Sequence, residues 1–251
     1  PDAGILRWSA YDLRPGADDV TVPHQLMRKY SLQPGVMLTC KVRPPQGREQ
    51  GLMADEILFI EGIPASDWKP PTEFDKLTPL FPNRRIFLET PTEPELAARA
   101  VDLITPIGMG QRGLIAAAPR AGKTIMLQTL ARSIRANHPD AALILLLVDE
   151  RPEEVTDFRR SVTAAEIWAS SNDEEVENHI RIADLCIERA KRLVEVGRDV
   201  VLFVDSITRL SRAHNTARNS GRTGTGGLDV RALEKPRQLF ATARKTEEAG
   251  S

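Results

Sequence analysis

Between residues 113 and 204 apolar runs alternate with helical stripes. Leu114 to Ala118 is a short apolar run that ends in a proline and glycine turn, and a helical pattern starts at Gly122. Ala142 to Val148 is apolar throughout, as a parallel strand covered on both faces should be. Glu166 to Ser170 reads as a shorter strand, and Asp199 to Val204 as another apolar one. Glu174 to Val196 carries a helical stripe of Ile180, Ala183, Ile187, Ala190 and Val194. Alternating strands and helices with buried strands predict an α/β fold, a parallel sheet with helices on both faces. Just upstream, PELAARAVDLI predicts a helix with Leu96, Ala100, Leu103 and Ile104 on one stripe. PIGMGQRG is then a glycine-dense turn that delivers the chain to the first strand.

Residues 1–62 follow a different period. GVMLTCKVR alternates, with Val36, Leu38, Cys40 and Val42 on one face and Met37, Thr39, Lys41 and Arg43 on the other. Val20 to Val22 and Gly51 to Ile60 supply further strands, and Pro23 to Tyr30 one short helix with proline at its start. Short strands with one helix in this length suggest a small β-barrel of the oligonucleotide-binding type. Residues 61–95 hold seven prolines and little periodicity. They read as a semi-rigid connector between two domains.

The bulk numbers narrow the class. Hydrophobic content of 41% and charged content of 27% belong to a soluble globular chain, and 251 residues suggest one or two domains. A net charge of −1 excludes a wholesale affinity for polyanions, so any nucleic-acid site must be local. Cys40 and Cys186 fit no metal-ligand spacing and read as small buried hydrophobes in a reducing compartment. No run approaches the roughly 20 apolar residues that cross a bilayer, so the expected localisation is cytoplasmic, with no membrane partner. The opening on Pro1 and the end at Gly250-Ser251 read as those of a fragment.

The candidate chemistry lies at the strand ends. APRAGKT has the order of a phosphate-binding loop, with Ala117 where the general pattern wants glycine. Backbone N–H groups of Arg120 to Thr124 would converge on the β- and γ-phosphates at a helix N-terminus. Gly122 lets the chain approach closely, Lys123 adds a mobile charge, and the Thr124 hydroxyl would ligate Mg²⁺. VVLFVD closes an apolar run with Asp205, placed for the water-mediated oxygen ligand of a nucleotide-bound Mg²⁺; Asp205-Ser206 also suits a helix cap. Glu150, at the end of LLLVDE, can polarise an attacking water, and Arg151 can reach the nucleotide or an adjoining subunit. Glu153 and Glu154 are assigned to the favourable first turn of the next helix. From Ser206 to Leu228 there are four arginines (Arg209, Arg212, Arg218, Arg222) and no acid. NSGRTGTGG within it suits a polyphosphate backbone, and equally a solvated connector. In residues 1–60, Trp8, Tyr11 and Tyr30 can stack on bases or simply pack, and seven basic side chains meet seven acidic ones.

Taken together, PIGMGQRGLIAAAPRAGKT, VDERPEEVTDF, DSITRLSRAHNT and TGTGGLD resemble the bacterial transcription termination factor Rho family. Alanine at position 117 is usual there. DDV, LQPG and KVRPP extend a weaker likeness to the family's cold-shock-like RNA-binding domain. The resemblance implies an OB-type domain over 1–62, a connector over 63–95, and a C-terminally incomplete RecA-like P-loop ATPase domain over 96–251. It implies a homohexameric, RNA-dependent ATPase and helicase that uses ATP and Mg²⁺ and works with the RNA polymerase transcription complex. ATP would be held by Gly108, Met109, Gly110, Gln111, Arg112 and Gly113, by Arg120, Ala121, Gly122, Lys123, Thr124 and Ile125, and by Arg151. Glu150 would activate water, Thr124 and Asp205 would hold magnesium, and Arg209 would couple the RNA and ATP sites. Single-stranded RNA would meet Arg7, Asp19 and Thr21 in the first domain. In the channel it would meet Ser220, Gly221, Arg222, Thr223 and Gly224.

Three departures change what is expected. AGILR stands where the family shows FGFLR, so two stacking phenylalanines become Ala3 and Ile5 while Arg7 remains. A later aromatic pair is missing around Arg48 to Leu52. These predict weak or altered primary RNA binding. The family's second channel loop, arginine finger and adenine pocket lie beyond Ser251, so these residues alone should hydrolyse ATP poorly. Two alternatives stay open: a rotary or secretion-type ATPase on the same core, and an RNA-binding piece without ATPase activity.

Overall fold

The computed structural model describes residues 3–9, 13–47, 49, 51–91, 95–118, 120–217, 229 and 231–251. The chain divides into two compact units, Pro1–Thr72 and Glu73–Ser251.

The first unit is a five-stranded sheet. β1 (Ala3–Leu6) pairs antiparallel with β2 (Val20–Pro23), which α1 (His24–Tyr30) follows directly with Pro23 as its cap. β3 (Leu38–Arg43) and β4 (Leu52–Ile60) pair antiparallel, β2 joins β4 in parallel, and β5 (Ile63–Pro64) turns back on β4. The pairings among the described residues give the order β1-β2-β4-β3, an open path rather than a ring. Val20, Val22 and Ala54 form its buried core, with Leu6, Leu26, Met27 and Leu38 against them. The alternation expected in β3 holds for Leu38 and Cys40, which are half-buried. It breaks at a register shift between Lys41 and Val42, so Val42 ends 43% exposed.

The second unit centres on β9 (Ala142–Glu150), whose residues Ala142 to Val148 are all buried. β10 (Glu166–Ser171) and β11 (Val200–Asp205) pair with it in parallel on either side. Around this sheet run β6 (Pro79–Leu80), β7 (Arg85–Ile86), α2 (Leu96–Ile104), β8 (Ile107–Gly108), α3 (Lys123–Asn137), α4 (Pro152–Ser161), α5 (Val176–Glu195), α6 (Ile207–Ala217), α7 (Glu234–Thr242) and β12 (Lys245–Thr246). Leu143, Leu145 and Leu147 of β9 pack with Leu127, Leu130 and Ile134 of α3 and Val155 and Phe158 of α4. The alternate residues Ile144, Leu146 and Val148 lie on the other face, where α5 and α6 pack on the same strand. None of the described helices is long and apolar enough to cross a membrane.

Four expectations are corrected. Residues 114–118 are not a strand: the described sheet runs β10-β9-β11, so this run has no partner strand among the described residues, and Leu114 is 70% exposed. β11 is therefore an edge in the described sheet, and its apolar residues are half-buried rather than covered on both faces. On α2 the stripe Leu96, Leu103 and Ile104 faces outward, while Ala98 and Asp102 are buried. Asp102 turns the helix that way, because its carboxylate accepts the Leu88 and Glu89 N–H groups at 2.9 and 2.8 Å. The buried line of α5 runs through His179, Ile182, Ala183, Cys186 and Leu193, shared with the expected stripe at Ala183 and Val194.

The proline-rich stretch is divided between the units rather than standing apart. Within the second unit, Phe74, Leu77, Ile86 and Leu88 are buried, the Glu195 carboxylate accepts the Phe74 N–H at 2.6 Å, and β6 pairs with β12.

Candidate functional site

α3 begins at Lys123, and Gly122 caps it in the left-handed region at φ 83°. Arg120 also has a positive φ of 63°, so the backbone reverses twice within three residues before the helix starts. Such a turn ahead of a helix aims successive N–H groups at one point, the form of an anion cradle. Arg120, Ala121 and Gly122 are exposed, Lys123 and Thr124 half-buried, and Ile125 is 68% exposed.

The end of β11 meets this turn, and the end of β9 and the start of α6 meet each other next to Asp205. The Lys123 ammonium donates to the Asp205 carboxylate, which ends β11 and is 2% exposed. Glu150, at the end of β9, is 3% exposed, and its Oε2 lies 3.3 Å from Arg209 Nη2 at the start of α6. That pair is ionic without an aligned hydrogen bond, which leaves Glu150 Oε2 a buried acceptor with no N–H or O–H donor among the described residues. Burial pushes the Glu150 carboxyl up to about 7. A shared hydrogen bond with Glu154 and the charge of Asp205 push the same way, and Arg209 opposes them. A carboxylate poised near neutral pH, close to the aspartate that pairs with a lysine on a helix N-terminus, is suited to take a proton from water near a polyphosphate.

The donor set also bears on a metal. No three described His, Cys, Asp or Glu residues form a cage. One buried carboxylate at a strand end and one hydroxyl at Thr124 are hard oxygen donors. They fit a magnesium ion that draws its remaining ligands from phosphates and water.

The other expected site residues divide. Arg151 is exposed at the cap of α4. Of residues 108–111, Met109 is buried in the core beside α3, and its N–H donates to the Arg84 carbonyl at 2.8 Å. Gln111 Oε1 accepts the Gly108 N–H at 2.8 Å, and Gly110, at φ 87°, meets the backbone of Arg244 and Lys245 where a Cβ would stand. Arg112 and Gly113 are exposed. In the first unit Arg7 and Asp19 pair with each other at 3.4 Å, and Thr21 sits opposite Ile5 on β2. Trp8 is 52% exposed, with its indole N–H on the Asp18 carbonyl. Ser220, Gly221, Arg222, Thr223 and Gly224 lie outside the described residues, as does Tyr11.

From sequence Glu154 is assigned only to the first turn of α4. Pro152 at the first position of α4 starts the helix immediately after β9, so the carboxylate four residues past Glu150 folds back on it. A Glu four residues after a strand-end Glu, with proline between them, was the available signal.

Residues 97–223 match the ATP synthase alpha/beta family, nucleotide-binding domain. A protein of Akkermansia muciniphila named transcription termination factor Rho is 47% identical over 247 residues, 98% of this chain and 52% of that one. The Bacillus subtilis protein of the same name is 45% identical over 250 residues, 99% of this chain and 57% of that one. The chain thus spans a little over half the length of these relatives. Among solved structures, a prototypical ATPase from the type III secretion system of pathogenic bacteria superposes with a TM-score of 0.60 at 21% identity. The superposition covers 79% of this chain and 54% of that one, and it shows a shared RecA-like P-loop α/β fold.

Proposed function

Because the chain belongs to the ATP synthase alpha/beta family of nucleotide-binding domains, and resembles transcription termination factor Rho across nearly its whole length, we propose that its second unit is the ATP-hydrolysing core of a Rho-type RNA translocase. The observation that carries this is the convergence of Lys123, Asp205, Glu150 and Arg209 from four separate elements onto one strand-end site.

In this reading the N–H groups of residues 120–125 cradle the phosphates of ATP, and Lys123 leaves Asp205 to bind the terminal ones. Thr124 and Asp205 hold Mg²⁺, which when bound supplies charge neutralisation at those phosphates. Glu150 orients the attacking water and accepts its proton, while Arg209 holds Glu150 and links it to α6 and the basic loop beyond. Arg151 reaches the nucleotide or a neighbouring subunit of a hexameric ring. The first unit serves as the OB-type RNA-binding domain, with Arg7, Asp19 and Thr21 on its RNA face, and the loop 220–224 grips the RNA backbone. Transcription termination by this motor involves single-stranded RNA and the RNA polymerase complex.

The test is ATP hydrolysis by the intact protein with and without poly(C) RNA. The expected result is strong stimulation by RNA, and a loss on the order of 10²-fold or more in Lys123→Ala. Hydrolysis indifferent to RNA would favour the secretion-type reading, which the RecA-like fold shared with a secretion ATPase supports. An unchanged Lys123→Ala would remove the nucleotide site altogether.

A further inference from the structure

Asp149 immediately precedes Glu150, is contacted by Arg209, and has no role in the reading above. β9 and β10 run in register up to Val148 opposite Ser170, and then slip, so that Ser171 faces Glu150. Asp149 is the extra residue, at φ 56°. Its N–H donates to the Ser170 hydroxyl at 3.4 Å, and Ser170 is fully buried. A left-handed φ is unfavourable for any residue with a Cβ, and glycine is the inexpensive choice at such a bulge.

The slip has a consequence for side-chain direction. In an unbroken strand Glu150 would share the face of Ile144, Leu146 and Val148, beneath α5 and α6. One inserted residue turns it to the face of Leu143, Leu145 and Leu147. Leu147 is the partner of Asp205 across β9 and β11, and that face packs on α3, which Lys123 begins. The bulge therefore brings the glutamate to the side where the lysine and the aspartate already are.

The side chain adds a second contact. Arg209 Nη1 donates to the Asp149 carbonyl and lies 3.8 Å from its Oδ2, while Nη2 lies 3.3 Å from Glu150 Oε2. One guanidinium thus spans two consecutive acidic residues. Glycine at 149 would keep the carbonyl contact and lose the carboxylate.

We propose that Asp149 is a positioning residue of the nucleotide site: its bulged backbone sets Glu150 on the face of Asp205, and its carboxylate fixes Arg209 beside Glu150. The proposal rests on the nucleotide-site reading given above. It explains why an acid occupies a backbone position that glycine would fill with less strain.

The test compares Asp149→Gly, Asp149→Asn and Arg209→Lys in the intact protein, by thermal unfolding and by RNA-stimulated ATP hydrolysis. Asp149→Gly is expected to unfold no lower than wild type, about 2 °C higher where the relieved backbone dominates. Its kcat falls about tenfold while the KM for ATP stays within about twofold, the pattern of a lost orientation rather than lost binding. Asp149→Asn, which tolerates the same φ and can still accept from Arg209, recovers at least about threefold of that loss. On the Arg209→Lys background Asp149→Gly costs less than about twofold further, because the two residues act as one. A kcat for Asp149→Gly within twofold of wild type overturns the proposal, as does the full loss recurring on the Arg209→Lys background, or a lower unfolding temperature for the glycine variant. Wild-type hydrolysis by Lys123→Ala would instead overturn the nucleotide-site reading, and non-additive unfolding temperatures of the Asp149 and Arg209 variants would still report their contact.

Discussion

Glu150 carries a charge that the fold resists. Its carboxyl is buried and pushed up to about 7, against about 4.5 for an exposed glutamate. The folded chain therefore binds a proton between those values that the unfolded chain releases, and this contribution to stability is full below about 4.5 and lost as the pH rises through about 7. Glu150→Gln, neutral at every pH, should gain stability over wild type between pH 5 and pH 8, by roughly 2–3 kcal/mol at the upper end. Urea titrations at the two pH values measure it, and a difference that does not change with pH would show that the fold leaves this carboxyl unperturbed. If Glu150 is the base proposed above, turnover should follow the opposite limb, falling about tenfold per pH unit below about 7 as the carboxylate that accepts the water proton is lost. Lys123, Glu150 and Asp205 were legible in the sequence because each closes a recognisable pattern, a loop or an apolar run. Glu154 and Asp149 were not. Their contributions depend on where α4 starts and on one φ angle, and an aspartate does not announce a left-handed bulge as glycine does.

Among the elements, α2 shows what periodicity can and cannot reveal. The spacing of Leu96, Leu103 and Ile104 gives the helix and its bounds, since it identifies residues that share a face. It does not say which face is covered. That is decided by Asp102, whose carboxylate holds the N–H groups of Leu88 and Glu89 and pairs with Arg85 at 3.1 Å. Burial alone would lift this carboxyl, but the Glu89 and Leu88 N–H donors and the Arg85 guanidinium outweigh it and hold it below the usual range. Asp102→Ala should cost about 2–4 kcal/mol by stranding two N–H groups, one of them on fully buried Leu88. An unfolding free energy from chemical denaturation lowered by less than about 0.5 kcal/mol would show that water replaces the carboxylate. Because the wild-type carboxyl is held low, its support is present above the ordinary carboxylate range and fades as the pH falls through the lowered value. The apolar run 114–118 makes the same point for strands: composition marks a segment fit for a sheet, while pairing depends on a neighbour many residues away.

At the scale of the whole molecule, two units divide the proposed work between RNA and nucleotide. The first unit offers Ala3 and the 60% exposed Ile5 on β1 as the place where stacking rings are missing. Ala3→Phe with Ile5→Phe should tighten binding of pyrimidine-rich RNA by at least about fivefold, since stacking contributes about 1–3 kcal/mol per base. The affinity of the second unit for ATP should not move. A filter-binding titration with no gain would assign that face another role. The two-part organisation was visible in the change from period-two alternation to strand–helix alternation. The position of the boundary was not, because prolines exclude regular structure without saying which neighbour a segment packs against. Phe74, Leu77 and Leu88 resolve that by burial in the second unit.

The outer side of β11 has a further consequence. The Val200 N–H donates to the Ser251 carbonyl, and the half-buried run from Val200 to Val204 otherwise borders no strand among those described. A sheet edge rich in valine, left without a partner strand, is a template for annealing with extended apolar segments of other molecules. Residues 114–118 are such a segment within the same chain. Wherever that valine-rich edge is left bare, concentrated preparations are exposed to self-association by cross-strand recruitment.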